Sequence, residues 1–349
     1  MNSRRAYPTW FALGALLLYG VFTLVPSILG IGYAFTDWNS YTTELNWVGF
    51  DNFQTILGEG SNYLRVIGNT VMFTIATIVL KTVIALGLAL LLVEGIRRAS
   101  SVYRMIFYLP AVLPILVVSL IFRSILHPAT GLLNETLRAV GLEFFTAKWL
   151  TDVTLAMWSV IWVDVWRGVG YIMVILIAGL LAIPREYYEA SSIDGASAWK
   201  NFRHITLPLL TPVLAVVTVL NLLYGLKVFD IVFVLTNGGP GRATQTVYTM
   251  VFEDFSKGRW GLATALSSLL LLVCLRKRLE GLDLRPLLST TVKVIAASSI
   301  VYLVVDWIVQ ITQLPPLGVC LLGSAVGATV YLALAFLLKI EELTVIYSH

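Results

Sequence analysis

What most constrains this chain is a series of apolar runs too long and too poor in charge to be the elements of a soluble core. Uninterrupted stretches lie near residues 10–35, 66–93, 105–122, 153–183, 207–234, 261–275, 287–311 and 317–338. A hydrocarbon layer roughly 30 Å thick requires about 20 apolar residues of a helix that crosses it, and a crossing helix satisfies every backbone polar group internally. The reading is an all-α, polytopic transmembrane bundle of about eight spans. Composition agrees: 58% of the 349 residues are hydrophobic and 13% charged, against roughly 45–50% and about 25% in soluble domains. A soluble enzyme is thereby excluded. The excess of bases is explained by loops facing the cytoplasm, so no nucleic-acid partner is expected.

Orientation follows from the same bases. With Arg4 and Arg5 inside, the inner loops hold thirteen Lys/Arg, the outer loops seven, and four are embedded, accounting for all 24. The positive-inside rule then places both termini in the cytoplasm of a cell-membrane protein. The first apolar run is too long for a secretory signal and carries Pro26 inside it, so it is expected to remain as a span. Cys274 and Cys320 both sit in apolar stretches and read as small core residues, not as a disulfide or metal site. His127, His204 and His349 are scattered without ligand spacing. No nucleophile elbow or other catalytic constellation is assembled, and no metal or cofactor is expected on the chain.

One polar loop has the character of a helix. Residues 183–212 read IPREYYEASSIDGASAWKNFRHITLPLLTP. Pro184 suits a helix start, Glu186, Glu189 and Asp194 suit the N-terminal side of a macrodipole, and Lys200, Arg203 and His204 its C-terminal side. Ile193, Ala196, Trp199 and Phe202 recur every third residue and predict an apolar stripe. Ala190, Ser191, Gly195, Ala196 and Ser197 are small enough for another surface to approach the backbone. Leu207-Pro208 should end this element and launch the next span. A docking helix fits these features; on periodicity alone, an amphipathic helix lying on the bilayer stands level with it.

The segment EASSIDGASAWKNFRHITLP resembles the EAA motif of binding-protein-dependent ABC importer permeases. Glu189, Ala190, Asp194, Gly195, Ala196, Phe202, Ile205, Leu207 and Pro208 stand at the expected places; Ser191 replaces a frequent second Ala. Two further stretches, KVFDIVFVLTNGGPGRATQTVYTMVFEDF and RMIFYLPAVLPILVVSLIFRSILHPATGLLN, are similar to the fifth span with its outer loop and to the third span of sugar-type permeases. With IWVDVWRGVGYIMVILIAGLLAIP the resemblance covers roughly residues 8–270. It is nearest to the first permease subunit of carbohydrate and glycerol-phosphate importers, the maltose-type group. It implies that the 184–208 loop couples to a cytoplasmic ATPase dimer, that a second permease completes the path, and that an extracytoplasmic solute-binding protein delivers a carbohydrate. ATP-Mg would be held by the partner, since this chain has no Walker motif.

Gly238-Gly239-Pro240-Gly241 is followed by no Lys-Ser/Thr and reads as a tight outer turn, not a phosphate cradle. Embedded charges cost about 2.5–3.5 kcal/mol each at a helix centre, so Lys81, Asp164, Arg167, Lys227 and Asp230 require partners. Asp164 with Arg167 and Lys227 with Asp230 are three apart, which allows pairing within one helix; a polar path between helices is the other reading. Asn221, Tyr224, Gly225, Lys227 and Asp230 form the candidate substrate path, with hydroxyl-binding groups and an aromatic face. Trp158, Trp162 and Trp166 read as packing and interface residues.

The last part departs from the family. Residues 261–275 make a run of 15 before Arg276-Lys277-Arg278, short of a full crossing. Two further spans follow, and this tail is similar to the final helices of MurJ-type lipid II flippases over about 75 residues. The expected organisation is a permease domain at 1–275 and an extra two-helix membrane segment at 276–349. The tail leaves a lipid-linked precursor flippase, another ATP-independent transporter acting on membrane lipid, or a non-functional chimera as the alternative.

Overall fold

The computed structural model describes residues 11–58, 60–95 and 100–279. The chain divides into two compact units, Met1–Leu270 and Leu271–His349, and the architecture below is that of the first. The expected spans at 287–311 and 317–338 lie outside the described residues.

Every named element among the described residues is a helix; the one extended pairing is an isolated bridge between Thr36 and Trp47. The spanning candidates are α1 (Gly14–Tyr33), then, after the short surface helix α2 (Asp51–Leu57), α3 (Asn62–Val93). A bent pair follows, α4 (Ser100–Val112) and α5 (Ile115–Ile125). After α6 (Leu132–Ala139) come α7 (Leu155–Leu181), α8 (Arg185–Ile193) and α9 (Ala198–Leu226). The chain continues through α10 (Asp230–Thr236), α11 (Val247–Ser256) and α12 (Trp260–Leu279). Four helices are long and apolar enough to cross a membrane, or five when the bent pair is one span. The expected eight are therefore not all present among the described residues.

Prolines explain most departures from the expected boundaries. The run 105–122 reads as one span, yet the chain turns by 92° between α4 and α5. Pro114 forces Leu113 out of the helical region and cannot donate to the preceding turn, so the helix stops and restarts. Elsewhere the chain absorbs a proline without stopping. A π turn at Gly20–Leu24 ends two residues before Pro26, and another at Phe202–Thr206 ends two residues before Pro208. Widening the turn ahead of the ring accommodates the missing donor. Leu207-Pro208 consequently does not end an element: α9 runs from Ala198 through it for 29 residues, about 44 Å. That length already exceeds the hydrocarbon layer, and the helix ends at Leu226, so Lys227 and Asp230 do not share a helix.

The core is built on α7, the most enclosed span, with 61% of its most apolar window buried. Helices α3, α4 and α9 pack around it. Small residues set the approach: a Cβ on Gly170 would fall 1.9 Å from the Phe107 carbonyl oxygen of α4. One half of the core joins Phe73, Val118, Val160, Ile161 and Ile231, the other Ala85, Met173, Leu176, Leu210 and Val217. A third cluster, around Ile56, Tyr63, Val66, Met250 and Leu266, fastens α2 and α11 to the start of α3 and to α12. The window of α1 is 0% buried within the chain. Helix α12 continues past the expected end at 275 to Leu279, carrying Arg276-Lys277-Arg278 in its last turns, so it reaches about 30 Å although its apolar part is only Trp260–Leu271.

Candidate functional site

Two places hold most of the residues singled out by sequence: the elbow between α7 and α9, and a cavity among α3, α4, α7 and α9.

At the elbow, α8 starts after Pro184 with Glu186 in its first turn. It ends in a Schellman arrangement, in which the Ala196 N–H donates to the Ser191 carbonyl at 3.0 Å and the Gly195 N–H to the Ser192 carbonyl at 3.1 Å. Gly195 sits at φ +72° with open space at its Cβ position, so backbone conformation rather than crowding selects glycine there. Ser197 then caps α9 by accepting from the Lys200 N–H at 3.4 Å. The 184–208 loop is thus two helices at a turn, not one. Ile193 belongs to the first helix, while Trp199 and Phe202 stack on the second with ring centroids 5.5 Å apart. Asp194 falls at the C-terminal end of α8 and Lys200 in the first turn of α9, so the single macrodipole expected from the charge order does not exist. Glu189, Ala190, Asp194, Gly195, Leu207 and Pro208 are exposed; Ser191, Ala196, Phe202 and Ile205 are half-buried. The Tyr188 hydroxyl and Thr206 Oγ1, 2.9 Å apart, brace the elbow. Ile193 is 87% exposed and Trp199 67%, which leaves an apolar surface at the tip of a membrane helix pair.

The cavity lies between spans and has a volume of about 270 Å³. Lys81 of α3 and Asp164 of α7 form an ion pair at 2.6 Å with side chains 4% and 1% exposed. The Tyr224 hydroxyl of α9 donates to Asp164 Oδ1 at 2.7 Å, and Lys81 Nζ lies 4.6 Å from the centre of the Tyr224 ring. Gly168 makes room for this arrangement, since a Cβ there would meet Lys81 Nζ at 2.9 Å. Both in-helix pairings expected from spacing are absent among the described ion pairs: Asp164 reaches across to Lys81, and Arg167 Nε donates to the Leu113 carbonyl at 3.4 Å. The Pro114 break removes that carbonyl from the helix ladder and so makes it available.

Of the candidate path residues, Asn221 and Tyr224 line the cavity. Gly225 instead packs on α3, where a Cβ would meet Thr74 Oγ1 at 2.8 Å. Lys227 and Asp230 are exposed beyond the end of α9. Lys81, Tyr108, Arg167 and Tyr171 also line the cavity; Lys81 and Arg167 were visible as costly charges, whereas the two tyrosines gave no signal apart from their place in apolar runs. Trp158, Trp162 and Trp166 are exposed on α7, with Trp166 5.0 Å from Phe122, consistent with an interface stripe.

The Gly238–Gly241 stretch is the expected turn. Asn237, Gly238, Gly241 and Arg242 all take positive φ, and Asn69 Nδ2 ties the loop to α3 by donating to the carbonyls of Arg242 and Gln245 at 3.1 and 3.0 Å. The following helix buries Asp254 against the Arg259 guanidinium and the Tyr63 hydroxyl. Burial raises the Asp254 carboxyl above its usual range in spite of those two partners. Among the described residues no group of His, Cys, Asp and Glu could hold a metal ion.

The fold and these two places define a polytopic helical membrane protein with a surface elbow between spans. The family model described as binding-protein-dependent transport system inner membrane component matches residues 83–313, and the chain belongs to that family. It is 33% identical to the probable ABC transporter permease protein YurN of Bacillus subtilis over 277 residues, 79% of this chain and 94% of the relative. It is also 33% identical to the multiple sugar-binding transport system permease protein MsmF of Streptococcus mutans over 267 residues, 75% of this chain and 89% of the relative. Among solved structures, a bacterial ABC transporter involved in the import of the acidic polysaccharide alginate matches with a TM-score of 0.66 at 26% identity, over 76% of this chain and 90% of that one. The chain is accordingly a membrane-embedded permease subunit of an ABC transporter and not an enzyme.

Proposed function

We propose that this permease carries a carbohydrate inward, driven by ATP hydrolysis on a separate subunit. The observation that carries the coupling is the elbow: two helices meeting at Gly195, their motif residues exposed or half-buried, with Ile193 and Trp199 presented to a neighbour. An apolar, small-residue surface continuous with the 29-residue α9 transmits a push at the elbow directly into a span. The occupant is a cytoplasmic ABC ATPase dimer, which binds ATP-Mg; this chain binds no cofactor.

The unburied α1 gives the second permease subunit a natural place. An extracytoplasmic solute-binding protein delivers substrate at the face opposite the elbow. Both termini lie in the cytoplasm, in keeping with the Lys/Arg bias. Asn221 and Tyr224, which line the cavity together with Lys81, stand on the substrate path. Substrate shifts the inward and outward populations through its different affinity for each. The domain division at 275/276 remains the proposed organisation.

The test is gentle purification of the tagged chain, mass spectrometry of every co-purifying chain, and ATP-dependent uptake of labelled oligosaccharides in proteoliposomes. Recovery of an ATPase and a second permease, with ATP-dependent sugar uptake, is expected. Recovery of the intact chain alone, with lipid-dependent and ATP-independent activity, overturns the reading in favour of a flippase.

A further inference from the structure

The cavity between α3, α4, α7 and α9 is lined by two cations, Lys81 and Arg167, and the carboxylate nearest Lys81, Asp164, lies behind the lining. Asp164 pairs with Lys81 through Oδ2 at 2.6 Å and accepts from the Tyr224 hydroxyl at Oδ1 at 2.7 Å. Arg167 stands three residues further along α7 and lines the cavity without a carboxylate within ion-pair distance among the described residues. Its one protein acceptor there is the Leu113 carbonyl, reached through Nε at 3.4 Å. The two terminal amino groups of the guanidinium, a planar fork matched to a carboxylate or phosphate, are left for another partner. No acidic side chain lines the cavity, and Lys227 and Asp230, the next charges along the chain, are exposed outside it.

The rest of the lining is suited to a sugar. Tyr108 and Tyr171 add phenol groups and apolar ring surface. Asn221 donates to the Val217 carbonyl at 3.1 Å, which leaves its side-chain oxygen as an acceptor for a hydroxyl. The volume of about 270 Å³ is just under the roughly 300–1,000 Å³ of ordinary ligand sites, fitting one ring or a charged end unit of a longer chain.

We propose that this cavity takes an anionic saccharide unit, with Arg167 as the cation that meets the anionic group. The Lys81–Asp164–Tyr224 network holds the neighbouring surface in place. This rests on the importer reading and adds the charge class of its substrate. The shared chemistry is a carboxylate or phosphate on a sugar.

The test uses the assembled transporter, purified through this chain and freed of its binding protein. Binding of a uronate disaccharide, a hexose phosphate and a neutral disaccharide is measured by calorimetry at low and high salt, alongside ATP-dependent uptake. The expected result is an anionic probe bound about tenfold or more tightly than the neutral one, a factor set by the strength of a charge-assisted fork. The uronate and phosphate arms identify which group Arg167 meets. In Arg167→Gln the anionic preference collapses towards unity, and Arg167→Lys recovers part of it; co-purification of the ATPase with both variants confirms assembly. Equal binding of neutral and anionic probes, no binding of any probe, or equal loss of both kinds in Arg167→Gln overturns the inference. ATP-dependent uptake of the neutral sugar without anionic preference does so while the importer reading stands. An ATPase-free complex overturns both.

Discussion

The cavity is lined in part by α7 and α9, the elbow joins the same two helices through α8, and the two regions are built on opposite principles. In the cavity, charges are buried and joined across three helices; at the elbow, apolar side chains are exposed and joined to almost nothing within the chain. Burial of Lys81 with Asp164 fixes how α3, α7 and α9 meet, since neither charge has another full partner among the described residues. Exposure of Ile193 and Trp199 leaves the apolar surface of the elbow uncovered by the rest of the described chain. The first region therefore bears on the integrity of the bundle, and the second, on the proposed reading, on what the bundle is connected to.

Lys81→Met breaks that contrast most severely, because it leaves Asp164 buried with the Tyr224 hydroxyl alone. Loss of one partner of a buried pair costs about 3–5 kcal/mol, read as a fall in the unfolding midpoint of the purified complex. Adding Asp164→Leu to the same chain should restore much of it; a double variant as unstable as the single one would show that shape, not charge, is decisive there. Tyr224→Phe keeps the ring and removes one hydrogen bond to a carboxylate, an expected loss of about 1.5–3 kcal/mol in the same assay. Gly168→Ala places a methyl group on the end of the Lys81 side chain, which the Asp164 pair holds in place, and should cost about 1–3 kcal/mol in the same assay. At the elbow, Ser197→Ala removes a helix cap worth about 1 kcal/mol. Faster hydrogen exchange confined to the first turn of α9 is the expected sign, with the bundle's midpoint unchanged.

The sequence discloses these two regions unevenly, for physical reasons. The elbow is readable because its signals are local: Pro184 starts a helix, and the motif around Gly195 is contiguous. Even so, a stripe every third residue suggested one helix, because periodicity does not register a residue at positive φ; Gly195 at the end of a helical stretch was the available sign. The cavity is readable only as cost. Spacing by three offered Arg167 as the partner of Asp164, whereas the pair forms with Lys81 on another span, which no single-helix pattern encodes. Pro114 marked the bend between α4 and α5, but hydropathy averages across it. Pro208 misled in the other direction, since the π turn ahead of it lets α9 continue.

The central claim is that the elbow docks an ATPase, and cross-linking tests it directly. In a background carrying Cys274→Ala and Cys320→Ala, Ile193→Cys at the elbow is compared with Phe144→Cys, an exposed position before α7 and thus at the opposite end of that span. Labelling each cysteine with a short maleimide–diazirine reagent and irradiating the assembled complex should join the ATPase to the chain through Ile193→Cys and not through Phe144→Cys, and Gly195→Trp should abolish both the cross-link and ATP-driven uptake while the chain still inserts. A cross-link through Phe144→Cys alone, or unchanged uptake and an unaltered complex in Gly195→Trp, would contradict the account.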